Sequence, residues 1–212
     1  PRAQILTLEE IEFIARAFSE LGVNKIRITG GEPLIRKGVL GLFQNLGEIT
    51  SLDELVLTTN GSKLVEMADS LKQSGVKRIN ISLDTLDEAK FKHITRTGDL
   101  KNVLQGIKAA TNAGFERIKI NAVILKNRNH LEVVDLVQFA IDNHCDISFI
   151  EEMPLGVIDS HNRAEVYYSS DDIKSDLDRI FKLDAIADNT GGPSVYHQVE
   201  GTNTRVGFIS PH

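Results

Sequence analysis

Cysteine is almost absent from this 212-residue chain, in which Cys145 is the only one. A single cysteine excludes a disulfide framework. It equally excludes a cysteine-rich metal site and an iron–sulfur site ligated within these residues. The shortage of cysteine fits a reducing compartment, so we expect the protein to be cytoplasmic. Cys145 itself is expected to be a small apolar residue at the end of a helix.

Long apolar runs are also lacking, and none approaches the roughly 20 residues that a membrane-spanning helix needs. A basic excess is lacking too: the net charge is −6, whereas a general nucleic-acid binder normally presents a basic face. We therefore expect no membrane and no nucleic acid among the partners. The chain opens on neither methionine nor a signal peptide, and we expect it to be a fragment.

What the chain does contain is a regular alternation of strand and helix patterns. Thr7 and Glu10 form a capping box that predicts the start of a first helix. Strands are predicted at 25–29, 55–59, 78–84, 117–124 and 147–151. Further helices are predicted at 38–48, 62–74, 87–94, 100–113 and 130–143. This order predicts an α/β protein with parallel strands and crossover helices.

The alternation ends near residue 154. Beyond it we expect a polar loop at 155–168, a helix at 171–181 capped by Ser170, a turn at 191–193, and two short strands at 194–199 and 204–209 that could pair. The predicted domains are accordingly an incomplete barrel at 1–154 and a C-terminal extension at 155–212.

The predicted strands have two different faces. One face is apolar, with Ile26, Ile28, Leu55, Leu57, Ile79, Ile81, Leu83, Ile118, Ile120, Ile147 and Phe149. The other face is polar, with Lys25, Arg27, Thr29, Thr58, Asn60, Asn80, Ser82, Asp84, Lys119, Asn121 and Ser148. Closed parallel barrels fill their interior with branched apolar side chains. The polar face instead predicts an open or partial barrel that holds a polar ligand.

The charges on the polar face indicate what kind of ligand this is. Lys25, Arg27 and Lys119 point inward in this phasing, while Asp84 is the chief inward carboxylate. Because burying unpaired cations is costly, a polyanion such as a nucleoside triphosphate would balance them. The alternative is that these cations lie at strand starts, extend outward and pair with surface acids.

The carboxyl ends of the strands should carry the site in a barrel-like α/β fold. Gly30 and Gly31 follow the first strand and offer backbone groups to a small zwitterion. Ser82 and Asp84 suit a ribose or an amino group. The adjacent pair 151–152, both glutamate, points to opposite faces and is expected to lie on a solvated rim. The histidines show no metal-ligand spacing.

The run at 25–36, KIRITGGEPLIR, resembles the GGEP strand of radical S-adenosylmethionine (SAM) enzymes, and more narrowly the GTP 3′,8-cyclases of molybdenum cofactor biosynthesis. Supporting stretches are LTLEEI at 6–11, LTTNG at 57–61, RINISLDTL at 78–86, IKINAV at 118–123, FIEEMP at 149–154, GGPS at 191–194 and GFISPH at 207–212. The resemblance covers nearly the whole chain.

This resemblance implies a TIM-like partial (β/α)6 barrel that lacks its N-terminal strand. It also implies a reductively cleaved SAM that initiates conversion of GTP to 3′,8-cyclo-7,8-dihydro-GTP. Carried over by motif, the SAM-binding residues are Gly30, Gly31, Glu32, Ser82, Asn121 and Met153. The GTP-binding residues are Lys25, Arg27, Thr58 and Lys119. No catalytic side chain is assigned. The implied partners are GTP, a reducing electron donor, a downstream cyclic pyranopterin synthase and a second copy of the chain.

The chain departs from the family in two ways. The family has an N-terminal CxxxCxxC and a C-terminal cysteine set for two 4Fe–4S clusters, and neither is present here. We therefore expect the fragment alone to bind no cluster and to be inactive. Ser148 also stands where many members have an arginine that binds phosphate.

Three alternatives remain open at this point. One is another radical SAM enzyme that acts on a different anionic substrate. Another is a non-radical barrel lyase that uses Lys119 as a Schiff-base nucleophile. The third is a cluster-free nucleotide-binding module.

Overall fold

The computed structural model describes residues 5–153, 163–187 and 192–211. The strands are β1 (Lys25–Ile28), β2 (Glu54–Thr59), β3 (Val76–Ser82), β4 (Arg117–Ile124), β5 (Asp146–Glu151), β6 (Leu183–Ala185), β7 (Val195–Val199) and β8 (Arg205–Ile209). The helices are α1 (Leu8–Glu20), α2 (Val39–Gly47), α3 (Leu64–Gln73), α4 (Glu88–Thr95), α5 (Leu100–Ala113), α6 (Val133–Asp142), α7 (Arg163–Val166) and α8 (Ser170–Leu177). Short 3₁₀ turns lie at Pro33–Ile35 and His130–Glu132.

The chain divides into two compact units. Unit 1 runs to Ile81 and includes Lys101–Ile118, and unit 2 comprises Ser82–Leu100 and the chain from Lys119 onward. Among the described residues, no helix is long and apolar enough to cross a bilayer.

Unit 1 is built on parallel strands, as predicted. β1 pairs with β2 and β2 pairs with β3, both in parallel, with a register shift between Leu55 and Val56. The predicted apolar face forms the core here, since Leu57 and Ile79 are fully buried. The capping box that opens α1 is confirmed: the Thr7 hydroxyl accepts from the Glu10 N–H at 3.1 Å, and the Glu10 carboxylate accepts from the Thr7 N–H at 2.7 Å.

Unit 2 continues the parallel pattern and then reverses it. β4 pairs with β5, and β5 with β8, in parallel. β8 then pairs with β7 and β7 with β6, both antiparallel. The predicted pairing of the two C-terminal strands is thereby confirmed. The sequence did not predict the pairing of β8 with β5. It also did not predict β6.

A buried ion pair accompanies the junction of β5 and β8. Asp146 accepts hydrogen bonds from the backbone N–H, Nε and Nη2 of Arg205, at 3.0, 3.1 and 2.5 Å. Both side chains are buried, at 4% and 7% exposure. Loss of one partner of such a pair destabilises the protein, because the other charge then stays buried without a counter-charge. It therefore favours this strand order over alternatives.

Two predicted helix starts were wrong by one or two residues. The cap of α8 is Ser169, not Ser170, and Ser169 forms a capping box with Asp172. α3 begins at Leu64 after Lys63, which makes no side-chain cap, and not at a cap by Ser62. The loop predicted at 155–168 is wrong in its described part, because Arg163–Val166 form the short helix α7. Residues 154–162 and 188–191 lie outside the described part, so the rest of that loop, the predicted turn and the domain boundary at 154 stay predictions.

Glu151 at the end of β5 corrects the expectation of a solvated rim. Its carboxylate is only 4% exposed. It accepts hydrogen bonds from the Tyr167 hydroxyl at 2.6 Å and the Ser170 backbone N–H at 2.7 Å. A third bond comes from the Ser210 hydroxyl at 2.8 Å. Burial raises the pKa of the Glu151 carboxyl, but these bonds outweigh burial and lower the pKa below its ordinary value.

We predict that Glu151→Gln flattens the acid limb of the stability profile. A carboxyl whose pKa is lowered by folding stabilises the native state above its unfolded pKa, and this contribution disappears as the pH falls through the folded pKa. At pH 7 the variant should lose about 1–3 kcal/mol of unfolding free energy. As the pH falls from about 4 through the lowered folded pKa, its stability should converge on that of the wild type. Urea unfolding at a series of pH values measures both.

The matched control is Glu116→Gln, since Glu116 is exposed. It should leave the profile unchanged. A constant difference between wild type and Glu151→Gln at all pH values would contradict the assignment.

Candidate functional site

In unit 1, the loop after β1 opens onto a cleft of about 550 Å³. Its lining includes every residue from Ile28 to Pro33, together with apolar residues of α1 and α2. A Cβ added to Gly30 or Gly31 would meet no protein atom within 4 Å. The backbone of both glycines is therefore open to a ligand, which is the reason that sequence reasoning gave for choosing them.

Glu32 in the same loop has its carboxylate engaged by the protein. Oε1 accepts from the Leu34 N–H at 3.0 Å and from the Thr59 hydroxyl at 2.8 Å. Oε2 accepts from the Asn60 N–H at 2.6 Å. The side chain of Glu32 thus ties the loop after β1 to the carboxyl end of β2. Its predicted contact with SAM stays a prediction, and the structure gives it a role in shaping the loop.

Two predicted GTP-binding residues lie side by side in unit 1. Nη1 of Arg27 on β1 donates to the Thr58 hydroxyl on β2 at 3.1 Å. Arg27 is exposed and Thr58 is half-buried. The pair presents a guanidinium whose orientation is set by a neighbouring strand.

Lys25, the third predicted GTP-binding residue of unit 1, forms an ion pair. Its ammonium lies 3.0 Å from the Glu54 carboxylate, and Arg78 lies 2.6 Å from the same oxygen. Burial raises the pKa of Glu54, but the two cations outweigh burial and lower it. The alternative expectation, a cation at a strand start paired with an acid, therefore describes Lys25. Glu54 was missed because β2 begins one residue earlier than predicted. Arg78 lies in the predicted third strand, in phase with Asn80 and Ser82, and could have been assigned to the polar face.

Unit 2 contains the other predicted ligand residues. Lys119 and Asn121 alternate along β4, Ser82 ends β3, and Met153 follows β5. The Leu83 N–H, next to Ser82, donates to the Asn121 carbonyl at 3.0 Å, so Ser82 and Asn121 lie on adjoining segments. Oδ1 of Asn121 is buried with no hydrogen-bond donor among the described residues. An orphaned acceptor of this kind suits a ligand that carries N–H or O–H groups.

Asp84, which the spacing from Ser82 predicted as a ligand group, also makes hydrogen bonds within the protein. Its Oδ1 accepts from the Val123 N–H at 2.8 Å, and the buried Asn129 amide donates to the Asp84 carbonyl at 2.7 Å. Burial raises the pKa of the Asp84 carboxyl. Asp84 therefore supports the loop after β4.

The described residues fit SAM but do not fit an iron–sulfur cluster. In unit 1, the open backbone of Gly30 and Gly31 suits a polar group such as the amino-acid end of SAM. In unit 2, the orphaned Asn121 oxygen separately suits an N–H or O–H donor. Iron–sulfur clusters need several cysteine ligands. Cys145 is buried and its thiol faces the Asn143 carbonyl at 3.4 Å. The described residues contain no group of three metal-ligating side chains, so this chain supplies no cluster site there.

Comparison with known proteins places the chain in a family. The profile of the radical SAM superfamily matches residues 1–140. The chain is 55% identical over 212 residues to a GTP 3′,8-cyclase of Saccharophagus degradans and 51% identical to GTP 3′,8-cyclase 2 of Pseudomonas aeruginosa. All of this chain is covered in both, and it spans 64% of the length of each relative.

Solved structures agree on the fold. SuiB of Streptococcus suis matches 98% of this chain and 44% of its own, with a TM-score of 0.66 at 19% identity. Coproporphyrinogen III oxidase (HemN) of Escherichia coli, a radical SAM enzyme, matches 96% and 55%, with a TM-score of 0.64 at 13% identity. The chain belongs to the radical SAM superfamily, and the predicted fold class is confirmed. This membership argues against the Schiff-base lyase and the cluster-free module.

We predict that Glu32→Gln loosens the loop after β1. The Leu34 and Asn60 N–H groups bond different oxygens of Glu32. The amide replaces one of these oxygens with a donor, so one bond is lost, and the loss should be about 1–3 kcal/mol. Hydrogen exchange of the Asn60 amide should accelerate in the variant. Glu48→Gln, at an exposed glutamate next to α2, should leave that exchange rate unchanged. Equal protection of Asn60 in wild type and Glu32→Gln would refute the tether.

Proposed function

We propose that the complete protein containing this chain is a GTP 3′,8-cyclase, the radical SAM lyase that converts GTP to 3′,8-cyclo-7,8-dihydro-GTP in molybdopterin biosynthesis. One observation carries the proposal: identity of 51–55% to named GTP 3′,8-cyclases runs along the entire chain. Membership in the superfamily alone would not distinguish this activity from radical SAM reactions on other substrates.

The open glycine backbone and the cationic side chains of the site residues support the proposal. The backbone of Gly30 and Gly31 receives the amino-acid end of SAM in the cleft of unit 1. Ser82, Asn121 and Met153 are its proposed contacts in unit 2. SAM, when bound with its clusters in the complete protein, supplies the radical chemistry of the family.

Three cationic side chains are the proposed contacts of the substrate GTP. Arg27, oriented by Thr58, and Lys119 donate to GTP. Lys25 contributes its charge near the phosphates while shared with Glu54. From the same relationship we also propose a reducing electron donor, delivery of the product to a cyclic pyranopterin synthase, a homodimer and a cytoplasmic location.

The test is anaerobic reconstitution of the complete protein with its clusters, SAM, a reductant and GTP. We expect 5′-deoxyadenosine and a cyclised guanine nucleotide in equal amounts. SAM cleavage that responds to a different anionic compound and not to GTP would replace this function with that of another radical SAM enzyme.

We predict that Gly31→Ala in the complete protein weakens SAM binding about tenfold or more, because the methyl group enters space that the ligand needs. The protein itself has room for that methyl group, since no atom lies within 4 Å of its position. Folding should therefore be unaffected. Equilibrium binding of SAM and a thermal melt measure the two effects.

Gly41→Ala is the matched control. Gly41 is exposed on α2 and its added Cβ also meets no atom within 4 Å. This control should bind SAM normally and gain about 0.5–1 kcal/mol of stability from helix propensity. Unchanged SAM affinity in Gly31→Ala would place the cofactor elsewhere.

We predict that Lys119→Ala weakens GTP binding about tenfold to a hundredfold, as expected for a lost charged hydrogen bond. SAM cleavage should stay largely competent. Lys108→Ala, at an exposed lysine on α5, is the control and should match the wild type. Anaerobic calorimetry with GTP decides the question, and equal GTP affinity in Lys119→Ala would remove Lys119 from the site.

A further inference from the structure

Four residues of unit 2 lie in register, one on each of four neighbouring strands. Asn121 on β4 is in register with Ser148 on β5, Ser148 with Gly207 on β8, and Gly207 with Tyr196 on β7. A Cβ on Gly207 would lie 2.7 Å from the Ser148 hydroxyl and 2.8 Å from Cε1 of Tyr196. The Tyr196 ring therefore occupies space that only glycine leaves, and its position over β8 is fixed.

The Tyr196 ring also contacts the buried ion pair of β5 and β8. The guanidinium carbon of Arg205 lies 5.0 Å from the ring centroid. Arg205 is itself held by three hydrogen bonds to Asp146. Tyr196 is 2% exposed, so its ring belongs to the core of unit 2.

The hydroxyl end of Tyr196 meets a cation. Nζ of Lys119 donates to the phenol oxygen at 3.1 Å and lies 5.8 Å from the ring centroid. The hydroxyls of Ser148 and Ser194, 3.2 Å apart, complete the cluster beside the phenol.

Lys119 keeps its positive charge uncompensated within this cluster. Within the part of the chain that the structure describes, no carboxylate forms an ion pair with Lys119. The phenol and two serine hydroxyls are neutral groups that can orient the ammonium without neutralising it. Burial raises the pKa of Tyr196, but the Lys119 charge and the serine hydroxyls outweigh burial and lower it.

We propose that Tyr196 is a positioning residue for Lys119, which it holds in place to receive a phosphate group of the nucleotide substrate. This inference rests on the proposed function, because it needs a phosphorylated substrate at Lys119. Tyr196 is too buried to offer a contact surface, so it acts through the lysine. Ser148 and Ser194 in turn orient the phenol.

The experiment uses the complete, reconstituted protein and the variant Tyr196→Phe. The ring stays above Gly207 and only the oxygen is removed. We expect the Kd for GTP to rise about tenfold, as for a lost hydrogen bond to a charged group. The Kd for guanosine, measured by competition, should not change, and neither should that for SAM. The KM for GTP should rise with little change in kcat.

A double-mutant cycle separates positioning from general destabilisation. In a Lys119→Ala background, Tyr196→Phe should have no further effect on GTP binding. Tyr168→Phe is the matched control, because Tyr168 hydrogen-bonds Asp176 instead. This control should bind GTP like the wild type.

Each outcome decides something different. If wild-type protein does not bind GTP, the proposed function fails and this inference with it. If the wild type binds GTP and Tyr196→Phe binds it equally well, only the positioning role is overturned. Equal weakening for GTP and guanosine, or weakening that persists without Lys119, also overturns it. If Tyr196→Phe does not fold, Ser194→Ala carries the test, with an expected two- to threefold rise for GTP alone, again abolished in the Lys119→Ala background.

Discussion

A parallel strand that buries one row of side chains in the core must still accommodate the other row, and that constraint governs both units. The buried row is fully apolar in the middle of the strands, as Leu57, Ile79, Ile120 and Phe149 show. The other row cannot repeat this composition without producing the continuous apolar runs of a sheet covered on both faces. It is polar instead, and each polar group needs a partner from the protein or from a ligand.

The partners that the protein supplies differ from one cation to the next. Arg205 is matched by Asp146 inside the core, and Lys25 shares Glu54 with Arg78. These charges are largely accounted for within the fold. Lys119 is held only by neutral hydroxyl groups among the described residues, so its charge remains available. Three cations that look alike in the sequence therefore differ in what they can offer a phosphate.

Local patterns predicted what depends on neighbours along the chain, and failed where distant contacts decide. The two-faced strands and the Thr7–Glu10 capping box follow from periodicity and spacing, and both are confirmed. Ser169 and Ser170 are chemically identical candidates for one cap, so the sequence could not separate them. Glu151 looked like a rim residue because two of its partners, Tyr167 and Ser210, lie 16 and 59 residues away. The pairing of β5 with β8 likewise depends on a tertiary ion pair.

Glycine shows most directly how the protein and its ligands share the same structure. At Gly207 the missing side chain is replaced by the Tyr196 ring and the Ser148 hydroxyl, so the fold itself explains the residue. At Gly31 the missing side chain leaves open space beside the cleft, and no neighbouring protein atom requires glycine there. The open space at Gly31 therefore supports the proposed SAM contact in unit 1, whereas the filled space at Gly207 fixes the Tyr196 ring beside Lys119 in unit 2.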